Sequence, residues 1–140
     1  MSLVFSHVAL NCRDPLTTER FYVRHFGFRR ARVIPLGAEQ IVFLKTGPIY
    51  LELFQAKGLP PGAAAEKDGP GYPGVRHIAF QVSDVDATLA AMGADAHVTL
   101  GPLDFGAFIP GWRTAWVTDP DGNIVEISQG YTDQDDPPQP

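Results

Sequence analysis

Apolar and polar residues alternate along several short runs of this chain, a pattern that is typical of half-buried β-strands. The first half of the sequence predicts strands at 4–11, 28–35, 39–46 and 49–55. The second half predicts strands at 75–82, 95–99, 111–118 and 123–129. Glycine and proline separate many of these runs, so the pattern indicates short strands joined by turns.

A helix signal follows the first strand of each half. Asp14 is a suitable N-cap, Pro15 is favourable at the first helical position, and Gly27 marks the end. The apolar stripe of this helix is predicted at Leu16, Tyr22, Val23 and Phe26. In the second half, Ser83 with Asp86 resembles a capping box. The apolar stripe there is predicted at Val85, Leu89 and Met92.

Two short segments occur twice in the same order. "HVALNCRD" at 7–14 matches "HIAFQVSD" at 77–84. "IYLELFQ" at 49–55 matches "NIVEISQ" at 123–129. An ordered double match indicates a duplicated module. The order of elements within each copy is strand, helix and three strands, so we expect an α+β fold of two tandem βαβββ modules.

The duplication also suggests the domain organisation. We predict a single domain over 1–131, made of module one (1–56), a linker (57–74) and module two (75–131). The linker is rich in glycine and proline, and the 101–110 stretch is predicted to be an irregular loop. The remaining residues, 132–140, are predicted to form a disordered tail.

Composition narrows the functional classes. The chain has 140 residues and a net charge of −5, and it shows no basic stripe, so nucleic acid is not an expected partner. No apolar run is long enough for a membrane helix, and the N-terminus lacks the features of a signal peptide. The single cysteine, Cys12, faces the predicted core and suits a reducing compartment. We therefore expect a cytoplasmic protein without a membrane partner.

The repeated histidines and glutamates are the main chemical signal. His7 and His77 begin equivalent strands, and Glu52 and Glu126 lie within equivalent apolar strands. A carboxylate among core-facing residues costs several kcal/mol unless it is paired or bound to a metal. Imidazole and carboxylate ligands suit divalent Ni, Zn, Co, Mn or Fe(II). The four residues together therefore predict a metal site, although a lone histidine on a strand is more often structural.

Aromatic residues cluster near the 101–110 loop. They are Phe105, Phe108, Trp112 and Trp116. An apolar substrate wall and ordinary packing are both open for this cluster. Phe21 lies off the predicted helix stripe and is a weak signal for a dimer contact. Arg113 is expected to form a surface salt bridge, with an anionic substrate as the alternative partner.

The chain resembles the vicinal oxygen chelate superfamily, and within it the glyoxalase I-like members of the glyoxalase/bleomycin resistance/dioxygenase family. The resemblance is carried by "HVALNCRDPLTTERFYVRHFGF", "YLELF", "GVRHIAFQVSDVDA" and "DPDGNIVEI". It covers about residues 1–131 and implies paired βαβββ modules that form a curved mixed sheet around a metal site. It also implies a homodimer and a small-molecule substrate with neighbouring oxygens.

By position, the resemblance implies that His7, Glu52, His77 and Glu126 are the metal ligands and that Glu126 is the catalytic base. Glu52 is the second carboxylate, either a ligand alone or an alternate base. Glutathione-using members commonly carry Arg where this chain has Asn11, and often Asn where it has Ala56. Asn11, Phe105 and Trp112 are the predicted substrate-binding residues.

The resulting hypothesis is a lyase or isomerase that transfers a proton α to a carbonyl through a metal-bound enediolate. Its substrate is expected to differ from a standard glutathione adduct. One alternative is an Fe(II)-dependent extradiol dioxygenase or a resistance thiol transferase, which would use His7, His77 and Glu126 and leave Glu52 off the metal. The other is a metal-free, bleomycin-resistance-like protein that binds a small molecule.

Overall fold

The computed structural model describes residues 2–140 and divides the chain into two compact units. Unit 1 comprises the chain up to Ala64 together with Asp119–Gly122. Unit 2 comprises Ala65–Thr118 and Asn123–Pro140. The division at residue 64 falls inside the predicted linker, which carries no helix or strand over 57–74. The C-terminal residues 132–140 also carry no helix or strand.

Unit 1 contains one helix and a four-stranded mixed sheet. Its elements are β1 (His7–Cys12), α1 (Pro15–Phe26), β2 (Arg29–Leu36), β3 (Glu39–Thr46) and β4 (Ile49–Gln55). The strand order is β1-β4-β3-β2, with β1 parallel to β4 and the other pairs antiparallel. A parallel pair needs a crossover connection, which α1 and the β2–β3 hairpin provide.

Unit 2 repeats this architecture. Its elements are β5 (Ile78–Gln81), α2 (Val85–Met92), β6 (Val98–Asp104), β7 (Arg113–Thr118) and β8 (Ile124–Gln129). The strand order is β5-β8-β7-β6, and β5 is parallel to β8. The predicted α+β class and the two βαβββ modules are therefore confirmed, as two four-stranded mixed sheets.

The helix ends follow from local chemistry. The Asp14 carboxylate accepts a hydrogen bond from the backbone N–H of Leu16 at 3.1 Å, and Gly27 ends α1 at φ 69°. The predicted Ser83–Asp86 capping box is wrong, because Asp84 is the N-cap of α2. Its carboxylate accepts from the backbone N–H of Ala87 at 2.9 Å. A carboxylate at this position also interacts favourably with the helix dipole.

Some strand boundaries differ from the predicted ones. The strands β1 and β5 begin later than predicted, at His7 and Ile78. The strand β6 covers Val98–Asp104, so the first part of the predicted 101–110 loop is a strand. Its pairing with β7 shifts register between Leu100 and Leu103. This irregularity around Pro102 lies on an edge strand, where a proline is tolerated in a sheet.

The buried face of α1 is rotated relative to the predicted stripe. Thr18, Phe21 and Tyr22 are buried, whereas Leu16 and Val23 remain about two-fifths exposed, at 42% and 41%. The assignment of Phe21 to a dimer contact is therefore wrong, because its ring packs within unit 1, 5.2 Å from the ring of Tyr22. The polar Thr18 tolerates burial because it has a hydrogen-bond acceptor.

That acceptor belongs to the Asp119–Gly122 turn of unit 1. Thr18 Oγ1 donates to Asp121 at 2.5 Å, and Tyr22 Oη donates to Asp119 at 2.7 Å. Burial and the Asp119 carboxylate raise the pKa of Tyr22. Burial likewise raises the pKa of the Cys12 thiol to about 12. Cys12 therefore stays protonated, and its place in the core confirms the sequence prediction.

Most of the remaining buried side chains are apolar in both units. In unit 1 the fully enclosed apolar side chains include Val42, Leu44, Leu51 and Leu53. In unit 2 they include Val85, Val117, Val125 and Ile127. Over residues 2–140, no helix has the length and apolar character needed to cross a membrane.

Candidate metal centre

The first His–Glu pair lies on the sheet of unit 1. His7 begins β1, and Glu52 lies in the middle of β4, opposite Ala9. Strand alternation points both side chains to the face opposite the core residues Leu51 and Leu53. His7 Nε2 is 3.2 Å from Glu52 Oε2. His7 Nδ1 is 2.8 Å from the Ser6 hydroxyl, which can donate or accept.

The second pair occupies the equivalent positions in unit 2. Glu126 lies in the middle of β8, opposite Ala79, and His77 directly precedes β5. His77 Nε2 is 2.6 Å from Glu126 Oε2. The His77 side chain is 21% exposed, compared with 39% for His7. The second pair is thus shorter and better enclosed than the first.

The two histidines also differ in what holds the far ring nitrogen. His77 Nδ1 is 2.6 Å from the backbone carbonyl oxygen of Asp68. A carbonyl oxygen can only accept, so Nδ1 carries the proton of this hydrogen bond. In the neutral ring, Nε2 then presents its lone pair towards Glu126. A ring held in this way resembles the outer support that metal-binding histidines usually have in proteins.

The two glutamates also differ in whether a neighbouring side chain orients the carboxylate. Thr114 is buried, and its hydroxyl donates to Glu126 Oε1 at 2.8 Å. The Ile127 carbonyl, at 3.1 Å, is the more distant acceptor of that hydroxyl. Thr114 lies two residues before Trp116, the cross-strand partner of Glu126. The equivalent residue in unit 1 is Ile41, which has no hydroxyl.

The donor set of each pair fits a divalent cation. In each pair a ring nitrogen and a carboxylate oxygen face each other, and both bear lone pairs when the histidine is neutral. Such an arrangement is stabilised by a proton or by a metal ion between the two atoms. Over residues 2–140, neither unit groups three or more His, Cys, Asp or Glu side chains around a common point. The structure therefore presents the predicted ligands as two pairs.

A pocket of about 270 Å³ lies beside Glu126 in unit 2. It is lined by Ala79, Phe80, Gln81, Trp112, Glu126, Ser128 and Tyr131. Trp112 Nε1 donates to the Ser128 hydroxyl at 3.1 Å, and the Tyr131 ring lies 6.3 Å from the Trp112 ring. A hydrogen bond to Asp133 raises the pKa of Tyr131. The pocket therefore combines one carboxylate, one amide and an aromatic wall.

The other predicted substrate residues occupy different places. Phe105 packs against Trp112 with ring centroids 5.1 Å apart, so it supports the wall without lining the pocket. Asn11 lies in unit 1, on the exposed side of β1 that also carries His7. Arg113 forms the expected surface salt bridge, with its Nε 3.0 Å from Asp86 Oδ2.

Trp116 does not belong to the aromatic cluster around the loop. Its ring lies 6.4 Å from that of His77, and the residue is buried, with 6% of its surface exposed. Its indole N–H has no acceptor over residues 2–140. A buried N–H without a partner is uncommon, and water or a ligand oxygen usually satisfies it.

Three residues near the second pair were not predicted from the sequence. Thr114 could have been found, because strand alternation places it on the same face as Trp112 and Trp116. Tyr131 follows the last strand and belongs to no periodic run of residues, so no sequence pattern marks it as a pocket residue. Asp68 acts through its backbone carbonyl, so its side-chain identity gives no signal in the sequence.

Comparison with known proteins agrees with this fold. The family sequence model of the Glyoxalase/Bleomycin resistance protein/Dioxygenase superfamily matches residues 4–127 of the chain. The chain therefore belongs to this superfamily, which includes metal-dependent enzymes and small-molecule binding proteins. A comparison with curated proteins gave no significant match.

Solved structures with the same fold include several relatives of the chain. SMU.1112c is 30% identical, with a TM-score of 0.65, and the match covers 90% of this chain and 98% of that one. A lactoylglutathione lyase from Agrobacterium tumefaciens is 25% identical, with a TM-score of 0.58 and coverage of 91% and 93%. TnmS3, an antibiotic binding protein from a Streptomyces species, is 23% identical, with a TM-score of 0.66 and coverage of 94% and 99%. The last similarity concerns the fold alone.

Proposed function

We propose that this protein is a metal-dependent lyase or isomerase of the glyoxalase type, with His7, Glu52, His77 and Glu126 as the ligands of a divalent cation. The observation that carries the proposal is the second pair, in which His77 Nε2 faces Glu126 Oε2 at 2.6 Å. The same two residue types meet at the equivalent positions of unit 1. Superfamily membership supports a divalent metal, and Ni, Zn, Co, Mn or Fe(II) suits these ligands.

Three residues of the chain have distinct roles in the proposed proton transfer. A bound cation would supply Lewis acidity that polarises a substrate carbonyl. The Thr114 hydroxyl orients the Glu126 carboxylate through Oε1, and Glu126 would take a proton from the carbon next to that carbonyl and return it to the neighbouring carbon. Glu52 is the second carboxylate and the alternate base. A proton acceptor held by a buried hydroxyl is well oriented for this transfer.

The pocket beside Glu126 supports a small substrate with an apolar part. Trp112 and Tyr131 offer aromatic surface, and Gln81 offers an amide for hydrogen bonding. No Lys or Arg is among the lining residues of this unit 2 pocket. Asn11 and Ala56 stand where glutathione-using members commonly carry Arg and Asn. A substrate other than a standard glutathione adduct is therefore the better fit.

Two further properties complete the proposal. We expect a homodimer, as the resemblance implies, and a cytoplasmic location. Cys12 is an unpaired, buried thiol, which is compatible with a reducing compartment. Sedimentation of the purified protein, with and without metal, would measure the oligomeric state directly.

One observation favours a dioxygenase or thiol transferase as the second candidate. Over residues 2–140, the one polar side-chain contact of Glu52 is with His7, whose Nε2 lies 3.2 Å from Glu52 Oε2. A loosely held Glu52 would leave His7, His77 and Glu126 as a facial triad with open positions for other ligands. Oxygen uptake with catechols, dependent on Fe(II), would support this candidate over the lyase.

The aromatic pocket favours a metal-free binding protein as the third candidate. TnmS3, which shares the fold, is an antibiotic binding protein. Quenching of tryptophan fluorescence by small aromatic molecules, unchanged by a strong chelator, would support this candidate.

The proposal is tested by titrating metal-free protein with Ni²⁺ and Zn²⁺ in a calorimeter. We expect stoichiometric binding that His77→Ala weakens by more than about 100-fold, beyond the effect typical of outer supporting residues. The loaded protein is then offered a panel of thiol–aldehyde adducts and acyl-thioester epimers, with product formation followed by chromatography. Absence of metal binding by the wild-type protein would rule out the proposed function.

A further inference from the structure

A short turn in the linker meets the second His–Glu pair. The turn spans 66–69 and is closed by a hydrogen bond from the backbone N–H of Gly69 to the carbonyl of Glu66 at 2.9 Å. Lys67 has a left-handed backbone conformation, with φ 53°. Between these residues, Asp68 directs its carbonyl oxygen to His77 Nδ1. The position of this oxygen therefore depends on the conformation of the turn.

Side chains of unit 2 hold the turn from two directions. The guanidinium of Arg76 donates from Nε and Nη2 to the Asp68 carboxylate, at 3.0 and 2.9 Å. Thr99 Oγ1 donates to the carbonyl of Lys67 at 2.5 Å. The paired geometry of a guanidinium and a carboxylate fixes orientation as well as distance. The backbone that leads into the Asp68 carbonyl is thereby anchored at two points.

Close packing at Gly69 adds a further constraint. Its φ is +122°, and a Cβ atom there would lie 1.9 Å from the carbonyl oxygen of Arg76. Backbone atoms cannot move out of the way as the end of a long side chain can. Any residue other than glycine at this position must therefore shift the turn away from the Arg76 carbonyl, which directly precedes His77. Such a shift would carry the Asp68 carbonyl with it.

We infer that the 66–69 turn is a positioning element that fixes the tautomer of His77. The Asp68 carbonyl holds the ring proton on Nδ1, and this keeps Nε2 available as a ligand atom towards Glu126. The inference rests on the proposed metal-binding function and adds the linker to the machinery of that site. His7 has no such device, because the Ser6 hydroxyl accepts from Nδ1–H or donates to bare Nδ1 and so permits either tautomer.

The test uses a matched pair of glycines from the linker. Gly69→Ala forces the clash with Arg76, whereas Gly62→Ala replaces a glycine that also has a positive φ, +94°, where the added Cβ would meet nothing within 4 Å. Both proteins are labelled with ¹⁵N-histidine, and the ring N–H of His77 is assigned by its loss in His77→Gln. Zn²⁺ affinity is measured on the same samples by chelator competition.

The wild-type protein and Gly62→Ala should show a slowly exchanging Nδ1–H from His77. Gly69→Ala should lose this protection, and its Zn²⁺ affinity should fall by about 10-fold, within the range for outer supports of metal ligands. An Nε2–H tautomer in the wild type, or a Gly69→Ala protein that keeps both the signal and the affinity, would overturn the inference. A protected Nδ1–H without Zn²⁺ binding would instead reject the proposed function and leave the tautomer control standing.

A milder variant covers the case in which Gly69→Ala does not fold. Arg76→Met removes the ion pair to Asp68, and its control, Lys57→Met, removes the exposed ion pair between Lys57 and Glu39 in unit 1. Arg76→Met should speed the exchange of the His77 Nδ1–H, and Lys57→Met should not. Equal exchange rates in the two variants would also overturn the inference.

Discussion

The two His–Glu pairs are copies of one motif, yet their surroundings differ. In unit 2 a carbonyl oxygen fixes His77 and a buried hydroxyl fixes Glu126. In unit 1 a hydroxyl that can donate or accept contacts His7, and over residues 2–140 Glu52 has no polar side-chain contact other than His7. The comparison teaches that both copies keep a histidine facing a glutamate, whereas the groups that orient these side chains are present in one copy.

This difference has a direct energetic meaning. Ordering a side chain at the moment of binding costs conformational entropy, up to about 2 kcal/mol for a flexible glutamate. In unit 2 much of that cost is met on folding, because Thr114 and the Asp68 carbonyl already hold the two side chains. We therefore expect unit 2 to dominate metal affinity and unit 1 to contribute the more adaptable ligands.

The largest predicted effect compares the two carboxylates. Glu126→Gln should reduce metal affinity by more than about 100-fold, because it removes a preorganised anionic ligand. Glu52→Gln should reduce it by about 10-fold, because the lost ligand was loosely held. Calorimetric titration with Zn²⁺ measures both variants. Equal losses, or a larger loss for Glu52→Gln, would contradict the proposed difference between the units.

The next effect isolates the supporting hydroxyl. Thr114→Val keeps the shape of the side chain and removes the hydrogen bond to Glu126, so metal affinity should fall by about 10-fold. Unfolding free energy should fall by about 1 kcal/mol. The control is Thr18→Val in unit 1, which removes an equally buried hydroxyl that bonds Asp121. It should cost similar stability and leave metal affinity unchanged. A Thr114→Val protein with unchanged affinity would show that the hydroxyl is structural only.

A smaller effect tests whether the missing support can be transferred. Ile41→Thr places a hydroxyl in unit 1 at the position equivalent to Thr114, where it can reach Glu52. In a background of Thr114→Val, it should raise Zn²⁺ affinity by about twofold, since one new hydrogen bond at the low end of the usual range contributes about 0.5 kcal/mol. Recovery is measured by chelator competition. A further loss of affinity would mean that Glu52 is already well oriented.

The smallest effect concerns the cores of the two units. Burial raises the pKa of Cys12 to about 12 in unit 1, whereas the matching position of the repeat in unit 2 is the non-titrating Val82. A raised native pKa means that the native state binds the proton more tightly than the unfolded state does. The stability contribution is therefore complete below about pH 9 and is lost as the pH rises towards about 12.

Cys12→Val tests this pH dependence by making unit 1 resemble unit 2. Urea unfolding at pH 8, 9.5 and 11 should show a weaker alkaline loss of stability in the variant than in the wild type. Tyr22, whose pKa is also raised, remains in both proteins and contributes the pH dependence of unfolding free energy that the variant retains. Identical slopes would mean that the Cys12 thiolate is not excluded from the native core.

The sequence predicted a large part of this structure. Strand alternation and the repeated segments gave the two βαβββ modules, and they placed each histidine on the same face as its own glutamate. The N-cap Asp14 and the terminal Gly27 located α1 to the residue, because those signals are local hydrogen bonds and backbone preferences. The metal-binding role of the two histidines and two glutamates stays a prediction.

The features that could not be predicted depend on contacts between residues that are distant in the chain. Thr18 is buried because Asp121 accepts its hydroxyl proton, so a stripe drawn from apolar residues alone pointed α1 in the wrong direction. The Asp68 carbonyl reaches His77 from an irregular linker, and backbone atoms leave no trace in residue identity. Pairing of this kind is decided by tertiary structure.

The most direct test of the central claim is a crystal structure of the wild-type protein grown with Zn²⁺, with anomalous diffraction data collected at the zinc edge. We predict an anomalous peak about 2.0–2.2 Å from both His77 Nε2 and a Glu126 carboxylate oxygen. The hydrogen bonds from Thr114 to Glu126 and from His77 to the Asp68 carbonyl should remain in place. A structure in which His77 and Glu126 still bond each other directly, with zinc absent or bound elsewhere, would contradict the account.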